Sequence, residues 1–187
     1  MKNDLSHENV SYFAVRIFFL FHPTIVAQPK RKDMSSMDNE KVREGLQAIV
    51  TGISQQAEGH AIQSRIFSSM GYDTLAVKYA EHAAEERGYV ERCIDRILDL
   101  GGTVKNEAKQ ETPTYTDAVE WLRYDLQVSQ NGLAWLSGII QEARRDLTTF
   151  DLLKDYYQDE EKDMYWVKQQ LELIEIIGVQ NWLVQQL

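Results

Sequence analysis

The chain has 187 residues, 43% of them hydrophobic and 26% charged, which is the composition of one globular domain. Its formal net charge of −9 repels phosphate backbones and argues against a nucleic-acid partner. An acidic excess suits a protein that gathers cations, although most acidic proteins merely stay soluble through it. The single cysteine, Cys93, excludes an intrachain disulfide and favours a reducing compartment, so we expect a cytoplasmic location.

Residues 1–36 differ in composition from the rest of the chain. The apolar stretch Ser11–Ala27 is interrupted by Arg16 and Pro23, so it is too short and too broken to predict a membrane span. It also lacks the basic start and the cleavage pattern of a signal peptide. We predict an N-terminal extension that is disordered or results from a wrongly assigned start, with a targeting segment or an ordered arm as alternatives. The folded domain is predicted over residues 37–187.

Four segments with apolar residues at three- and four-residue spacing then follow one another and predict long helices. The second segment ends at Gly101-Gly102, which is typical of a left-handed helix cap. A polar connection over residues 101–114 predicts a long crossover, and Gly178 separates the fourth helix from a short fifth. No useful period-two run occurs, so the predicted fold is an all-α four-helix bundle. The predicted helices cover about 38–69, 73–100, 115–144, 147–177 and 179–187.

Several polar side chains fall on the faces of these helices that should be buried. They are Gln56 and His60 on the first helix, His82, Glu86 and Tyr89 on the second, Asp125 and Ser129 on the third, and Glu160 and Asp163 on the fourth. Burying unpaired carboxylates costs several kcal/mol each, so these groups must be protonated, paired or metal-bound. Two interpretations stay open: a metal site at mid-bundle, or a hydrogen-bond network around a cationic His60, with Tyr89 and Ser129 as donors and Arg87 reaching in.

The runs Glu86-Arg87-Gly88-Tyr89 and Glu160-Glu161-Lys162-Asp163 have the outline of the Glu-x-x-His pairs of di-iron bundles, without the histidines. Tyr165–Leu187, Tyr89–Gly102 and Glu120–Leu126 resemble stretches of the bacterioferritin family, and the resemblance extends over about residues 37–187. It implies a ferritin-like four-helix bundle with a long crossover between the second and third helices and a short fifth helix. It also implies an iron-storage role.

The resemblance assigns the metal ligands of this family to particular positions of the chain. The two bridging glutamates are kept, and all four terminal ligands are changed. The bridging positions hold Glu86 and Glu160, the histidine positions Tyr89 and Asp163, and the terminal glutamate positions Ile53 and Ser129. Because carboxylates and tyrosinate are hard ligands, Glu86, Glu160, Asp163 and Tyr89 remain candidates for a rearranged dinuclear iron site, with His60 as a weaker one.

Two further expectations follow from the same resemblance. The methionine that binds haem in this family aligns with Arg87, so we expect no haem. Glu81 and Glu85 fall at inner-cavity positions that resemble an iron-relay site, although a solvated charged face is an equal alternative. The expected partners are other copies of the chain in a large cage, with or without a haem-bearing bacterioferritin subunit.

Three functions are therefore compared. The first is iron storage, with ferroxidase activity at a degenerate centre as an open question. The second is a non-catalytic shell subunit whose centre has become a hydrogen-bond network. The third is a membrane-tethered or cargo-type interaction module, for which residues 11–27 are the sole support.

Overall fold

The computed structural model describes residues 34–187, with side chains from residue 39 onward. The predicted N-terminal extension lies outside the described residues, apart from its last three positions. The described part contains α-helices and one short 3-10 turn at Ala143–Arg145, with no strand, which confirms the all-α prediction. The helices are α1 Met34–Ser69, α2 Asp73–Asp99, α3 Ala118–Glu142, α4 Leu147–Ile177 and α5 Val179–Val184.

The helix ends follow local signals in the sequence. Gly101 and Gly178 have φ values of +69° and +80°, which side-chain-bearing residues rarely adopt, and they follow the ends of α2 and α4. The start of α3 lies three residues after the predicted one. The reason is Asp117, whose carboxylate accepts hydrogen bonds from Val119 N at 2.8 Å and Glu120 N at 3.0 Å and thereby caps the helix.

The four long helices pack around two apolar clusters. The first cluster joins the N-terminal half of α1 and the start of α4 to the C-terminal halves of α2 and α3. The second joins the opposite ends of the same helices to Trp182 of α5. Therefore α1 is antiparallel to α2 and α3 is antiparallel to α4, whereas α2 and α3 run in the same direction. This is the topology that a long crossover produces.

The crossover between α2 and α3 is held along α1 by three glutamines, which we call the glutamine ladder. Gln47, Gln55 and Gln63 are spaced eight residues apart, and each amide pairs with both the N–H and the C=O of one crossover residue. The residues paired in this way are Lys105, Gln110 and Tyr115. The ladder satisfies backbone groups that would otherwise depend on water.

The short helix α5 closes one end of the bundle. Trp182 is fully buried, and its Nε1 donates to Gln170 Oε1 of α4 at 3.0 Å. Thr74 N at the start of α2 donates to Gln186 O at 3.0 Å, so the described chain end is fixed to the opposite hairpin. Among residues 34–187, no helix combines the length and apolar character needed to cross a bilayer.

Candidate functional site

A polar layer separates the two apolar clusters at the middle of the bundle. One pocket there is lined by side chains from all four long helices: Gln56, His60, His82, Glu86, Asp125, Ser129, Glu160, Asp163 and Val167. The helical spacing that predicted buried polar residues therefore identified most of this layer. The long crossover matters here, because it makes α3 run parallel to α2 and so brings Asp125 to the level of the other groups.

His60 lies at the centre of the layer, between two carboxylates. Its Nδ1 is 2.9 Å from Glu86 Oε2, and its Nε2 is 3.1 Å from Asp125 Oδ1. The three side chains are no more than 6% exposed. The phenol of Tyr79 donates to Asp125 Oδ2 at 2.8 Å and extends the network to a fourth residue. We call Tyr79, Asp125, His60 and Glu86 the His60 network.

The chemistry of this network favours a cationic imidazole. A neutral imidazole donates from one nitrogen only, whereas both ring nitrogens of His60 face carboxylate oxygens. Burial by itself lowers the pKa of His60, but the charges of Glu86 and Asp125 outweigh it and hold that pKa well above its usual value. Burial dominates at Glu86 and raises its pKa despite the nearby imidazole.

A second set of charged groups lines the side of the pocket formed by α4. Asp163 Oδ1 is 3.2 Å from Lys78 Nζ and 3.1 Å from His82 Nε2. Glu160 accepts a long hydrogen bond of 3.5 Å from Gln56 Nε2. Burial of its carboxylate, together with the charge of Glu86, raises the pKa of Glu160 to about 8. Glu160 therefore carries its proton through much of the neutral range.

Two buried ligand-type atoms in the pocket have no hydrogen-bond partner. They are Glu86 Oε1 and His82 Nε2, on residues that are each 3% exposed. The His82 nitrogen is near Asp163, but the angle is unsuited to a hydrogen bond. Buried polar atoms are satisfied in the great majority of cases, so two such atoms in one pocket require an explanation.

The structure brings together four of the predicted site residues and separates the others. Glu86, Glu160 and Asp163 line the pocket, together with His60. The Tyr89 hydroxyl instead donates to Asp159, outside the pocket-lining set.

Three other predicted positions lie on the surface. Glu81 and Glu85 are exposed on α2. Arg87 is also exposed and lines a groove between α1 and α2, so it does not reach into the network.

His82 and Asp125 belong to the site, although the sequence placed them only on buried faces. Each lies four residues, about one helical turn, before a position that the family resemblance singles out: Glu86 and Ser129. That shared offset is the signal in the sequence that identifies them. It becomes informative once α2 and α3 are known to be parallel.

The pocket does not fit a dinuclear metal centre as its side chains are arranged. Among residues 34–187, no three His, Cys, Asp or Glu side chains converge closely enough to hold an ion. The His60 ring lies between Glu86 and Asp125 and already engages one carboxylate oxygen of each. Ile53, at a terminal ligand position, is buried in the first apolar cluster and has no donor atom.

The amino-acid sequence is similar to ferritin-like proteins along most of its length. Residues 60–177 match the model of the ferritin-like domain family. The chain is 35% identical to a bacterial ferritin of Neisseria meningitidis serogroup B, over 80% of this chain and 98% of that protein. It is 31% identical to a bacterial ferritin of Pseudomonas aeruginosa, over 76% of this chain and 94% of that protein. A bacterial ferritin of Synechocystis is 29% identical over 76% of this chain.

Proposed function

This chain belongs to the bacterioferritin family of ferritin-like proteins, and we propose that it is an iron-storage subunit without a working dinuclear centre. Ferrous iron is the substrate, and ferric mineral is the stored form. The subunits assemble into a cage, alone or together with sister subunits that carry an intact centre and haem. Oxidation then takes place at those sister subunits or by dioxygen in solution.

The storage part of the proposal is supported along almost the whole length of the relatives. The chain spans 98% and 94% of two proteins named bacterial ferritin, so its similarity is not confined to one helix pair. The net charge of −9 attracts cations. The exposed carboxylates of Glu81 and Glu85 on α2 are hard oxygen ligands, which suit ferric ions and could nucleate mineral.

The observation that carries the non-catalytic part is the position of the His60 ring. Glu86 and Glu160 would need free carboxylate oxygens to hold a dinuclear iron centre, but one Glu86 oxygen is 2.9 Å from His60 Nδ1. Tyr89, a candidate replacement ligand, uses its hydroxyl on Asp159 instead. The competing proposal, ferroxidase activity on Glu86, Glu160, Asp163 and Tyr89, would require these contacts to break.

Two double variants test the proposal. Each replaces two glutamates by glutamines, so the two variants lose the same charge and differ only in where it is lost. Glu86→Gln with Glu160→Gln alters the mid-bundle layer, and Glu81→Gln with Glu85→Gln alters the exposed face of α2. Each assembled protein is given ferrous iron in air, and the initial oxidation rate and the iron retained per cage are measured. We expect the mid-bundle variant to match wild type in both, and the exposed variant to retain less iron.

Two results would contradict the proposal. A wild-type oxidation rate above buffer that disappears in the mid-bundle variant would assign ferroxidase activity to the pocket. A wild-type assembly that retains no iron, alone or after co-assembly with a competent bacterioferritin, would remove the storage role. Size-exclusion chromatography of each variant controls for loss of assembly.

A further inference from the structure

Three groups of the mid-bundle pocket are displaced in a common direction from the positions that the family resemblance assigns. His60 lies seven residues after Ile53 on α1, whereas His82 and Asp125 lie four residues before Glu86 and Ser129 on α2 and α3. Because α1 runs opposite to α2 and α3, all three displacements point toward the end of the bundle that α5 closes. The pocket thus holds two imidazoles and four carboxylates. Both imidazoles and the Asp125 carboxylate lie away from the assigned ligand positions.

Such a set of side chains would bind a transition metal if its donor atoms were free. Imidazole and carboxylate together suit Zn²⁺, Co²⁺ and ferrous iron. One buried ligand atom of the pocket, Glu86 Oε1, has no hydrogen-bond partner, and His82 Nε2 meets only Asp163 Oδ1, at 3.1 Å. The unpartnered Glu86 oxygen indicates a ligand that the hydrogen bonds of the protein do not replace.

Other potential metal-ligand atoms of the pocket are already paired with one another, as the contacts of His60 show. His60 contacts one oxygen of Glu86 and one of Asp125, at 2.9 and 3.1 Å, and it does so with both of its nitrogens. An incoming cation would compete with the imidazole for those two oxygens. It would also bring its charge next to a ring that must be cationic when both carboxylates are ionised.

We propose that the His60 side chain is a built-in substitute for a metal ion. Its ring keeps divalent cations out of the pocket, and its removal frees one oxygen of Glu86 and one of Asp125 to take up a single divalent ion in its place. This inference deepens the proposed function, because it gives the reason why the centre of this subunit is inactive. It differs from the family centre in its ligands and in its number of ions.

The probe is Co²⁺, whose visible absorption reports coordination by nitrogen and oxygen donors. Full-length wild type and His60→Ala are titrated by absorption and calorimetry. We expect no pocket binding in wild type and about one Co²⁺ per chain in His60→Ala. Adding Glu86→Gln to His60→Ala should abolish the gain, which separates the pocket from acidic surface sites.

A matched control is Gln63→Ala. Like His60→Ala, it truncates a buried polar side chain of α1, but Gln63 does not line the pocket. It should gain no Co²⁺. If His60→Ala does not fold by circular dichroism, His60→Asn replaces it, since its shorter amide does not span the distance from Glu86 to Asp125. The same outcomes apply to either variant.

Two outcomes would overturn the inference. One is a folded His60 variant that gains no Co²⁺. The other is wild type that binds Co²⁺ as well as the variant does and loses it on Glu86→Gln. Iron retention per cage is measured separately. Loss of retention would contradict the storage proposal, whereas the Co²⁺ titrations test only the role of His60.

Discussion

Two of the charged clusters that connect helices among residues 34–187 differ in burial and in how completely their polar atoms are paired. In the corner cluster, Arg96 of α2 donates to both carboxylate oxygens of Asp146, at 2.7 and 2.8 Å, and to Thr149 Oγ1 at 2.8 Å. The Arg96 and Asp146 side chains are 17% and 18% exposed. In the His60 network, the charged side chains are 3–6% exposed, and Glu86 Oε1 lacks a partner.

The difference in burial and pairing indicates that the two clusters have different roles. At the corner, Asp146 also caps α4 by accepting from Thr149 N at 3.3 Å, so helix capping and cross-helix pairing account for its contacts. At mid-bundle, burial costs more and leaves donors unused, which stability alone does not explain. The substitution of the His60 imidazole for a metal ion, as proposed above, would explain both features.

The largest effect is expected at the His60 network. His60→Ala leaves Glu86 and Asp125 buried without their shared partner, and breaking a buried ion pair in this way costs about 3–5 kcal/mol. Chemical denaturation in metal-free buffer measures the free energy of unfolding. Tyr79→Phe removes only the donor to Asp125 and serves as the smaller-effect control. A His60→Ala loss no greater than that of Tyr79→Phe would show that His60 is not the central partner.

An intermediate and pH-dependent effect is expected at the corner cluster. Partial burial alone would raise the pKa of Asp146, but hydrogen bonds from Arg96 and Thr149 outweigh it and lower that pKa below its usual value. The stabilisation is therefore present above the unfolded-state pKa and is lost as pH falls through the folded one. Asp146→Ala should cost about 1–2 kcal/mol at neutral pH.

Thermal unfolding of wild type and Asp146→Ala between pH 7 and pH 3 measures this dependence. The two melting temperatures should converge in acid. A gap that stays constant over that range would mean that the Asp146 carboxylate acts through packing and not through its charge.

The smallest effect is expected at the surface. Lys41 and Glu142 approach to 3.5 Å, with side chains 60% and 55% exposed, and solvent screens such pairs. Lys41→Ala should change the free energy of unfolding by less than about 0.5 kcal/mol. A loss as large as that of Asp146→Ala would show that exposure does not separate the clusters, and the comparison above would fail.

The sequence predicted the helices well because periodicity and glycine breaks are local signals. The second and fourth predicted helices match α2 and α4 to within one residue at each end. Periodicity also placed His60 and Glu86 on buried faces. One of the two interpretations of that layer made His60 the cation of a hydrogen-bond network. The sequence did not identify Glu86 and Asp125 as its two partners, because those contacts depend on how far the helices are shifted along one another.

Other features required knowledge of partners distant in the chain. Tyr89 lies on a buried face, yet its hydroxyl turns to Asp159 of α4. The pattern of apolar residues does not single out the three glutamines at eight-residue spacing on α1, because their partners are backbone groups of the crossover. Nearly every residue carries the same backbone groups, so the sequence does not show which of them a side chain will contact.

The glutamine ladder has an evolutionary consequence for the crossover. Each of its three contacts uses the main chain of Lys105, Gln110 or Tyr115, so these bonds themselves do not depend on what those residues are. An inserted or deleted residue between two of them, in contrast, would misalign every later contact with α1. Selection should therefore tolerate substitutions in this segment and reject changes in its length.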